Sequence, residues 1–141
     1  MFSKNSNNFK LYFYLIAVSL IVVTLFFPYE SVKAYKKITA IEVKDMINTP
    51  SSEALIIDVR TPSEYKQGHI PKSINIPLQI LKDEVIHKNI NKSTKIIVYC
   101  QRGIRSENAA EILEQLGYNN VYSLGGIDQW TYDIEKDSYE R

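Results

Sequence analysis

Two apolar segments of strand length constrain the fold of this chain more than any other feature of its sequence. They run from Ala54 to Val59 and from Lys95 to Tyr99, and neither shows the alternation of apolar and polar residues that marks a strand with one face in water. Such runs are typical of strands covered on both faces, as in a parallel sheet packed between helices. They predict an α/β fold.

The segments around these two strands carry helix signals. Thr39–Glu42 and Thr61–Glu64 are capping boxes, and they predict a helix over Ala40–Asn48 and a short helix that stops near Gly68. The other predicted elements are a strand at Ile74–Ile76, a helical stripe from Leu78 to Ile86, a helix over Ser106–Leu116, a strand at Val121–Ser123, a turn at Gly125–Gly126 and a final helical turn over Ile127–Tyr132. Alternating strands and helices indicate a parallel sheet with helices on both faces.

An uncharged run precedes this α/β region. It spans Leu11 to Phe27, follows Lys4 and Lys10, and would reach roughly 25 Å as a helix, against ~30 Å for a hydrocarbon core. It is interpreted either as a signal peptide cleaved after Ala34 or as a retained transmembrane helix that anchors the chain. Both interpretations place residues 35–141 outside the cytoplasm, and an anchored chain keeps its N-terminus in the cytoplasm. We therefore divide the chain into an N-terminal segment, residues 1–34, and one domain, residues 35–141, with its core at about 38–132.

Charge and cysteine content exclude several classes of function. The 141-residue chain has 17 Lys and Arg against 16 Asp and Glu, a net charge of +1, so no basic excess favours a nucleic-acid partner. It has one cysteine, Cys100, so no disulfide can form within the chain, and its two histidines make a zinc site of the Cys/His type very improbable. We expect no metal site.

The cysteine stands where the second apolar strand meets a helix. Cys100 follows Tyr99 and precedes a loop that contains Arg102, Gly103 and Arg105. Ligands bind at the carboxyl ends of strands in open α/β sheets, and backbone N–H groups of a loop entering a helix bind anions. A thiolate is favoured in such a loop and is a nucleophile for sulfur or phosphorus centres. A buried, unreactive cysteine is the alternative, but the two arginines beside the strand end argue against it.

Three groups of residues, in this order and spacing, resemble a known family. Asp58-Val59-Arg60, Glu64-Tyr65, Gly68-His69-Ile70-Pro71 and Ile74-Asn75-Ile76-Pro77 form the first group, Tyr99 to Ser106 the second, and Gly125-Gly126 with Trp130 the third. They resemble the first signature, the active-site loop and the closing motif of single-domain rhodaneses, over roughly Ile38 to Trp130. The resemblance implies a rhodanese-like three-layer domain with a central five-stranded parallel sheet. It also implies an enzyme, a sulfurtransferase that needs no cofactor.

The resemblance assigns roles to particular residues. Cys100 matches the catalytic nucleophile, which carries sulfane sulfur as a persulfide from a small anionic donor, such as thiosulfate or a persulfide, to a thiol, cyanide or a thioredoxin-like protein. The matched substrate-binding loop consists of Gln101, Arg102, Gly103, Ile104, Arg105 and Ser106. Asp58 and Arg60 match a supporting pair near the loop. His69, Gly125, Gly126 and Trp130 are interpreted as structural.

The sequence also departs from the family pattern, and two other functions stay open. Gln101 stands where many thiosulfate-active members have Arg, and Ser73 stands where Ala is frequent. A non-catalytic binding or regulatory module of the same fold is one alternative. A phosphatase or arsenate reductase of the related fold is the other, although those enzymes separate cysteine and arginine by five residues. Only four residues separate Cys100 from Arg105, and this shorter loop suits a sulfur atom better than a tetrahedral oxyanion.

Overall fold

The computed structural model describes residues 6–26 and 35–136, and the chain divides into two units, residues 1–32 and 33–141. The first unit contains helix α1, Ser6–Phe26, which begins before the uncharged run. Within the described residues, no helix combines the length and the apolarity needed to cross a membrane. The expected membrane-spanning helix therefore has no structural support there, and the expected cleavage position, Ala34, lies outside the described residues.

The second unit is built on the predicted parallel sheet. Its strands lie in the order β1-β5-β4-β2-β3, and every neighbouring pair is parallel. The strands are β1 (Lys36–Lys37), β2 (Leu55–Asp58), β3 (Ile74–Asn75), β4 (Ile96–Cys100) and β5 (Val121–Gly126), and the helices are α2 (Ala40–Asn48), α3 (Pro62–Gln67), α4 (Leu81–His87) and α5 (Ile104–Gln115). Short 3-10 helices cover Leu78–Ile80 and Ile127–Gln129. The arrangement is the expected α/β fold with a five-stranded parallel sheet.

Helices cover both faces of the sheet, which explains the two apolar segments that defined the fold in the sequence. Every residue of β4 is buried. One core cluster packs Leu81 and Val85 of α4 and Leu113 of α5 against the sheet. The other places Val43 of α2 and Trp130 on the opposite face. The central strand therefore has no face in water, as its continuous apolar sequence predicts.

Both predicted capping boxes are present, and their local geometry is nearly identical. The Glu42 carboxylate accepts hydrogen bonds from the Thr39 amide at 2.8 Å and the Thr39 hydroxyl at 2.6 Å. The corresponding distances from Glu64 to Thr61 are 2.9 and 2.7 Å. Each threonine hydroxyl in turn accepts a bond from the amide of its glutamate. The two helix starts are a matched pair that differs in what else the glutamate contacts.

Strand β1, the end of β5 and the start of α5 differ from the predictions, and the helical segments predicted over Leu78–Ile86 and Ile127–Tyr132 begin as the two 3-10 helices. Strand β1 was not expected, because its two exposed lysines carry no apolar pattern and it joins the sheet only by backbone pairing beside Tyr122 and Ser123. The predicted turn at Gly125–Gly126 is instead the end of β5. A register shift opposite Val98/Tyr99 and the positive φ of Gly125, 88°, let this strand continue. Helix α5 begins at Ile104, two residues before the predicted start. Its N-cap is Gly103, which makes no side-chain capping hydrogen bond.

Candidate active site

Cys100 is the last residue of β4, the central strand of the sheet. Its side chain is 1% exposed, and its sulfur accepts a hydrogen bond from the Gly103 amide at 3.1 Å. Gly103 has φ 108°, a conformation that other residues rarely adopt, and it turns the loop sharply into α5. The loop thus curls around the sulfur at the carboxyl edge of the sheet, where ligands bind in folds of this kind.

Residues 101–106 form the loop that follows this sulfur, and we call this loop the cradle. The Gly103 amide points at the sulfur. The amides of residues 101, 102, 104, 105 and 106 have no hydrogen-bond acceptor in the part of the chain that the structure describes. The last three belong to the first turn of α5, whose N–H groups carry the positive end of the helix dipole. Unpaired amides of a loop that enters a helix bind and stabilise negative charge.

Arg105 is held by a carboxylate of α3. Its guanidinium donates to the two oxygens of Glu64 at 2.9 and 2.7 Å. Glu64 raises the pKa of Arg105, with a smaller contribution from Cys100. Arg105 in turn, followed by Thr61, lowers the pKa of Glu64 from its ordinary 4.5 to about 2. The arginine therefore lies within electrostatic reach of the sulfur in a fixed orientation, and its charge is compensated.

Asp58 and Arg60 form a buried ion pair that reaches the loop. The Arg60 guanidinium donates to Asp58 at 2.6 Å, and to the Gln101 side chain at 3.3 Å. It also donates to the Gly68 carbonyl at 2.7 Å. Burial alone would lower the pKa of Arg60, but the hydrogen bonds and charge of Asp58 outweigh it and the pKa is raised. The structure thus brings this predicted supporting pair next to the residue that follows Cys100.

Ser106 and Ile104 contribute to the loop in different ways. Ser106 is fully buried, and its hydroxyl lies 2.7 Å from the Gly103 carbonyl and 3.0 Å from that of Gly125, between which it shares its proton. It therefore ties the loop to β5. The Ile104 side chain is 75% exposed, so this residue offers the cradle its amide and not its side chain.

Gly126 allows the loop to lie close to β5. The interpretation of this glycine as a turn residue did not include this role. A Cβ atom at this position would lie 2.6 Å from the Gln101 carbonyl oxygen and 2.9 Å from the Arg102 Cα, and would also collide with the Asp128 carboxylate. The backbone of β5 therefore packs directly on the backbone of the loop. No pattern in the sequence links residues 25 positions apart in this way, although the glycine pair itself was visible.

The remaining predicted structural residues lie away from the sulfur. The buried His69 ring stacks on the Tyr65 ring, with 3.7 Å between the centroids, and hydrogen-bonds the Tyr65 carbonyl. The backbone of His69 pairs with that of Glu135. Ser73 is buried, donates to the Ile70 carbonyl and lies 3.0 Å from the Tyr99 hydroxyl. Serine at this position, where alanine is frequent in the family, therefore adds hydrogen bonds to Ile70 and Tyr99 and does not only change the side-chain volume.

Two grooves flank the loop, and we name each after the loop residue in it. The Arg102 groove, about 500 Å³, contains Lys37, Arg102, Gly103 and Glu107 among its lining residues. The Gln101 groove, about 370 Å³, is lined by Arg60, Glu64, Gln67, Gly68, Gln101, Ile127, Asp128, Trp130, Tyr132 and Ile134. Trp130 is thus both a core residue, 8% exposed, and part of a groove wall. The grooves give two separate approaches to the same loop.

Residues 39–133 match the profile of the rhodanese-like domain family. The chain belongs to this family. Thiosulfate sulfurtransferase PspE of Escherichia coli K12 is 41% identical to this rhodanese-like domain over 71 residues, which are 50% of this chain and 68% of PspE. A sulfurtransferase of Allochromatium vinosum is 36% identical over 81 residues, 57% of this chain and 74% of that protein.

Solved structures agree with this membership. A rhodanese-related protein of Thermoplasma volcanium superposes with a TM-score of 0.62 at 35% identity, and the match covers 73% of this chain and all of that one. A rhodanese with anions from E. coli gives 0.56 at 36% identity, and covers 60% and 99% of the two chains. This rhodanese-like domain is an enzyme of the sulfurtransferase class.

Proposed function

We propose that the domain moves sulfane sulfur from a small anionic donor, such as thiosulfate, to a thiophilic acceptor, with Cys100 as the carrier. The observation that carries this proposal is the hydrogen bond from the Gly103 amide to the Cys100 sulfur, in a loop whose other amides have no acceptor among the described residues. A persulfide anion adds one atom and keeps one negative charge, which N–H donors of such a loop suit.

In the donor half-reaction, the Cys100 thiolate attacks the outer sulfur of thiosulfate. A new S–S bond forms, the S–S bond of thiosulfate breaks, and sulfite leaves with the electron pair, so charge and electrons balance. Arg102 is exposed in the Arg102 groove and has no ion-pair partner among residues 35–136, so it is available to attract the dianion. Arg105, whose charge Glu64 compensates, orients the loop instead.

In the acceptor half-reaction, the persulfide anion first takes up one proton from the solvent, and a nucleophile then attacks its outer sulfur. The bond between the two sulfurs breaks, and Cys100 leaves as the thiolate. A thiolate acceptor becomes a persulfide, and cyanide becomes thiocyanate. The enzyme returns to its starting state without any cofactor in the reaction.

The test is the mass of the intact chain after incubation with thiosulfate and removal of excess reagent. We expect a gain of one sulfur atom, which can only lie on Cys100 as a persulfide because the chain has one cysteine. Cyanide should remove it and yield thiocyanate. The matched control, Cys100→Ser, should gain nothing and keep its circular dichroism. A thiosulfate-treated wild-type chain of unchanged mass would refute the proposal.

We also propose that residues 35–141 act outside the cytoplasm. The support is the uncharged run Leu11–Phe27 with Lys4 and Lys10 before it. A C-terminal alkaline-phosphatase fusion should be active in a host that exports the reporter, and an inactive fusion would contradict the placement. N-terminal sequencing of the mature protein then separates cleavage after Ala34 from a retained segment.

A further inference from the structure

Two glycines with positive φ face each other where the reactive loop meets β5. Gly103 of the loop has φ 108°, and Gly125 of β5 has φ 88°. A Cβ on Gly103 would lie 3.8 Å from the Gly125 Cα, so the two backbones lie close together. Glycine restricts its own backbone less than any other residue. The position of the Gly103 amide on the Cys100 sulfur therefore depends on what else holds these two glycines.

A pair of buried serines, which we call the serine pair, holds both glycines. Ser106 is fully buried and Ser123 is 3% exposed, and their hydroxyl oxygens lie 3.2 Å apart. The Ser106 hydroxyl shares its proton between the carbonyls of Gly103, at 2.7 Å, and Gly125, at 3.0 Å. The Ser123 hydroxyl accepts a hydrogen bond from the Gly125 amide at 3.3 Å. The serine pair thus binds the carbonyl of the first glycine and both main-chain polar groups of the second.

The hydrogen bonds of the serine pair have a fixed direction. A carbonyl oxygen can only accept, so the one proton of Ser106 is used on the two carbonyls, and the Ser106 oxygen accepts its bond from Ser123. The bonds therefore run from the backbone of β5 through the two serines to the Gly103 carbonyl. Hydrogen bonds arranged head to tail strengthen one another. The same carbonyl also accepts the first helical bond of α5, from the Glu107 amide at 3.0 Å.

We propose that Ser123 is a positioning residue for sulfur transfer, and that it acts on Cys100 through Ser106 and Gly103. Loss of its hydroxyl removes the donor of the Ser106 oxygen. The glycines are then held less firmly, and the Gly103 amide bonds less often to the sulfur, where it stabilises the thiolate and the persulfide anion. This inference rests on the proposed function, because the reaction that Ser123 supports is persulfide formation on Cys100.

Ser123 differs in role from the donor-binding side chain beside it. Both Ser123 and Arg102 are among the residues that line the Arg102 groove, but Arg102 is exposed and Ser123 is not. The Ser123 hydroxyl is used as donor and as acceptor within the protein. Its removal should therefore lower the rate of the chemical step and leave the affinity for thiosulfate unchanged. This split between rate and affinity separates a positioning residue from a donor-binding residue.

The rate test follows persulfide formation on the full-length chain in a single turnover, by mass spectrometry at increasing thiosulfate concentrations. We expect Ser123→Ala to lower the maximal rate about fivefold, equivalent to about 1 kcal/mol, at an unchanged half-saturating concentration. Ser123→Thr keeps the hydroxyl and should restore most of the rate. The matched control is Ser73→Ala, which removes another buried serine hydroxyl, bonded to Ile70 and Tyr99, and should change neither quantity.

A double-mutant cycle tests the route through Ser106. In the Ser106→Ala background the Ser123 hydroxyl has lost its connection to Gly103, so adding Ser123→Ala should change the rate by less than about twofold. Equal losses from Ser123→Ala in both backgrounds would overturn the proposal. A wild-type rate in Ser123→Ala would overturn it too, as would a raised half-saturating concentration in place of a lower maximal rate.

Amide exchange measured by NMR reports on Gly103 without any sulfur transfer. The Gly103 amide should exchange with water about fivefold faster in Ser123→Ala, and at the wild-type rate in Ser123→Thr and Ser73→Ala. If the wild-type chain forms no persulfide with thiosulfate, the proposed function is wrong, and this exchange rate alone decides whether Ser123 positions Gly103. Unchanged exchange at Gly103 in Ser123→Ala overturns the positioning role.

Discussion

Replacing Glu64 by glutamine should show how much the α3–α5 link contributes to stability. Glutamine can still serve in a capping box, so the substitution keeps the helix start and removes the charge that faces Arg105. The pKa of Glu64 is lowered from 4.5 to about 2, chiefly by Arg105. A depression of about 2.5 is equivalent to about 3.4 kcal/mol. Because Glu64 and Arg105 are each 31% exposed, solvent screens the pair, and we expect a loss of about 1–2 kcal/mol at pH 7.

The sign of the pH dependence follows from the depressed pKa. The folded state holds Glu64 ionised more strongly than the unfolded state, so the stabilisation is complete above the unfolded value of 4.5 and is lost as the pH falls towards 2. The difference in unfolding free energy between wild type and Glu64→Gln should therefore be constant from pH 7 to about pH 5 and shrink to nearly nothing at about pH 2.

Urea unfolding, followed by the fluorescence of Trp130, measures this difference. Trp130 is the only tryptophan of the chain and is 8% exposed in the domain core, so its signal reports on the folded domain. Glu42→Gln is the matched control, because Glu42 makes the same bonds to its threonine and has no arginine partner among residues 35–136. Equal losses in the two variants, or a loss at Glu64 that does not change with pH, would refute the link between Glu64 and Arg105.

Substitutions at three further positions test the loop and its supports. Arg105→Lys and Arg105→Met should each slow sulfur transfer by about tenfold or more, which corresponds to about 1.4 kcal/mol in the activation free energy. The reason is that neither side chain can bind both oxygens of Glu64. Wild-type turnover in the methionine variant would contradict this role. Gly126→Ala should push the loop away from β5 and lower the free energy of unfolding by about 1–3 kcal/mol. Persulfide formation, measured by mass spectrometry, should slow by about tenfold. An unimpaired variant would show that the close packing is dispensable. Ser73→Ala should lower the free energy of unfolding, measured in urea, by about 1 kcal/mol, because the Tyr99 hydroxyl loses a hydrogen-bond partner. Turnover with thiosulfate and cyanide should stay at the wild-type level. A slower enzyme would mean that the link between Ser73 and Tyr99 supports the loop.

The sequence predicts those elements whose signals lie within a few neighbouring residues. The capping boxes at Thr39 and Thr61 are present as predicted, because every atom they need lies within four residues. Strand β1 escaped prediction because only its backbone is used, and its lysines have no buried face. The start of α5 was misplaced because Gly103 caps it without a side-chain hydrogen bond, so the usual signal is missing.

The candidate site shows the same limit. The position of Cys100 at a strand end could be predicted because the strand and the loop adjoin in sequence. The Glu64–Arg105 pair could not be predicted, because 41 residues separate the partners. Each residue was also already explained by its neighbours, Glu64 as part of a capping box and Arg105 as part of the loop. The Gln101 groove needs α3, the loop and the segment after Trp130 together, and only the fold brings these into contact.

The backbone-to-backbone contact between β5 and the loop has a consequence for how this enzyme could be altered. Gly126 meets the loop at main-chain atoms of Gln101 and Arg102, and the cradle itself is made of amides. The side chains at 101, 102 and 104 are exposed, and of the three only that of Gln101 makes a side-chain hydrogen bond within the described residues, at 3.3 Å from Arg60. The part that handles sulfur is thus separable from the part that meets substrates. Donor preference should be exchangeable at those three positions by mutagenesis, with the reaction chemistry left in place.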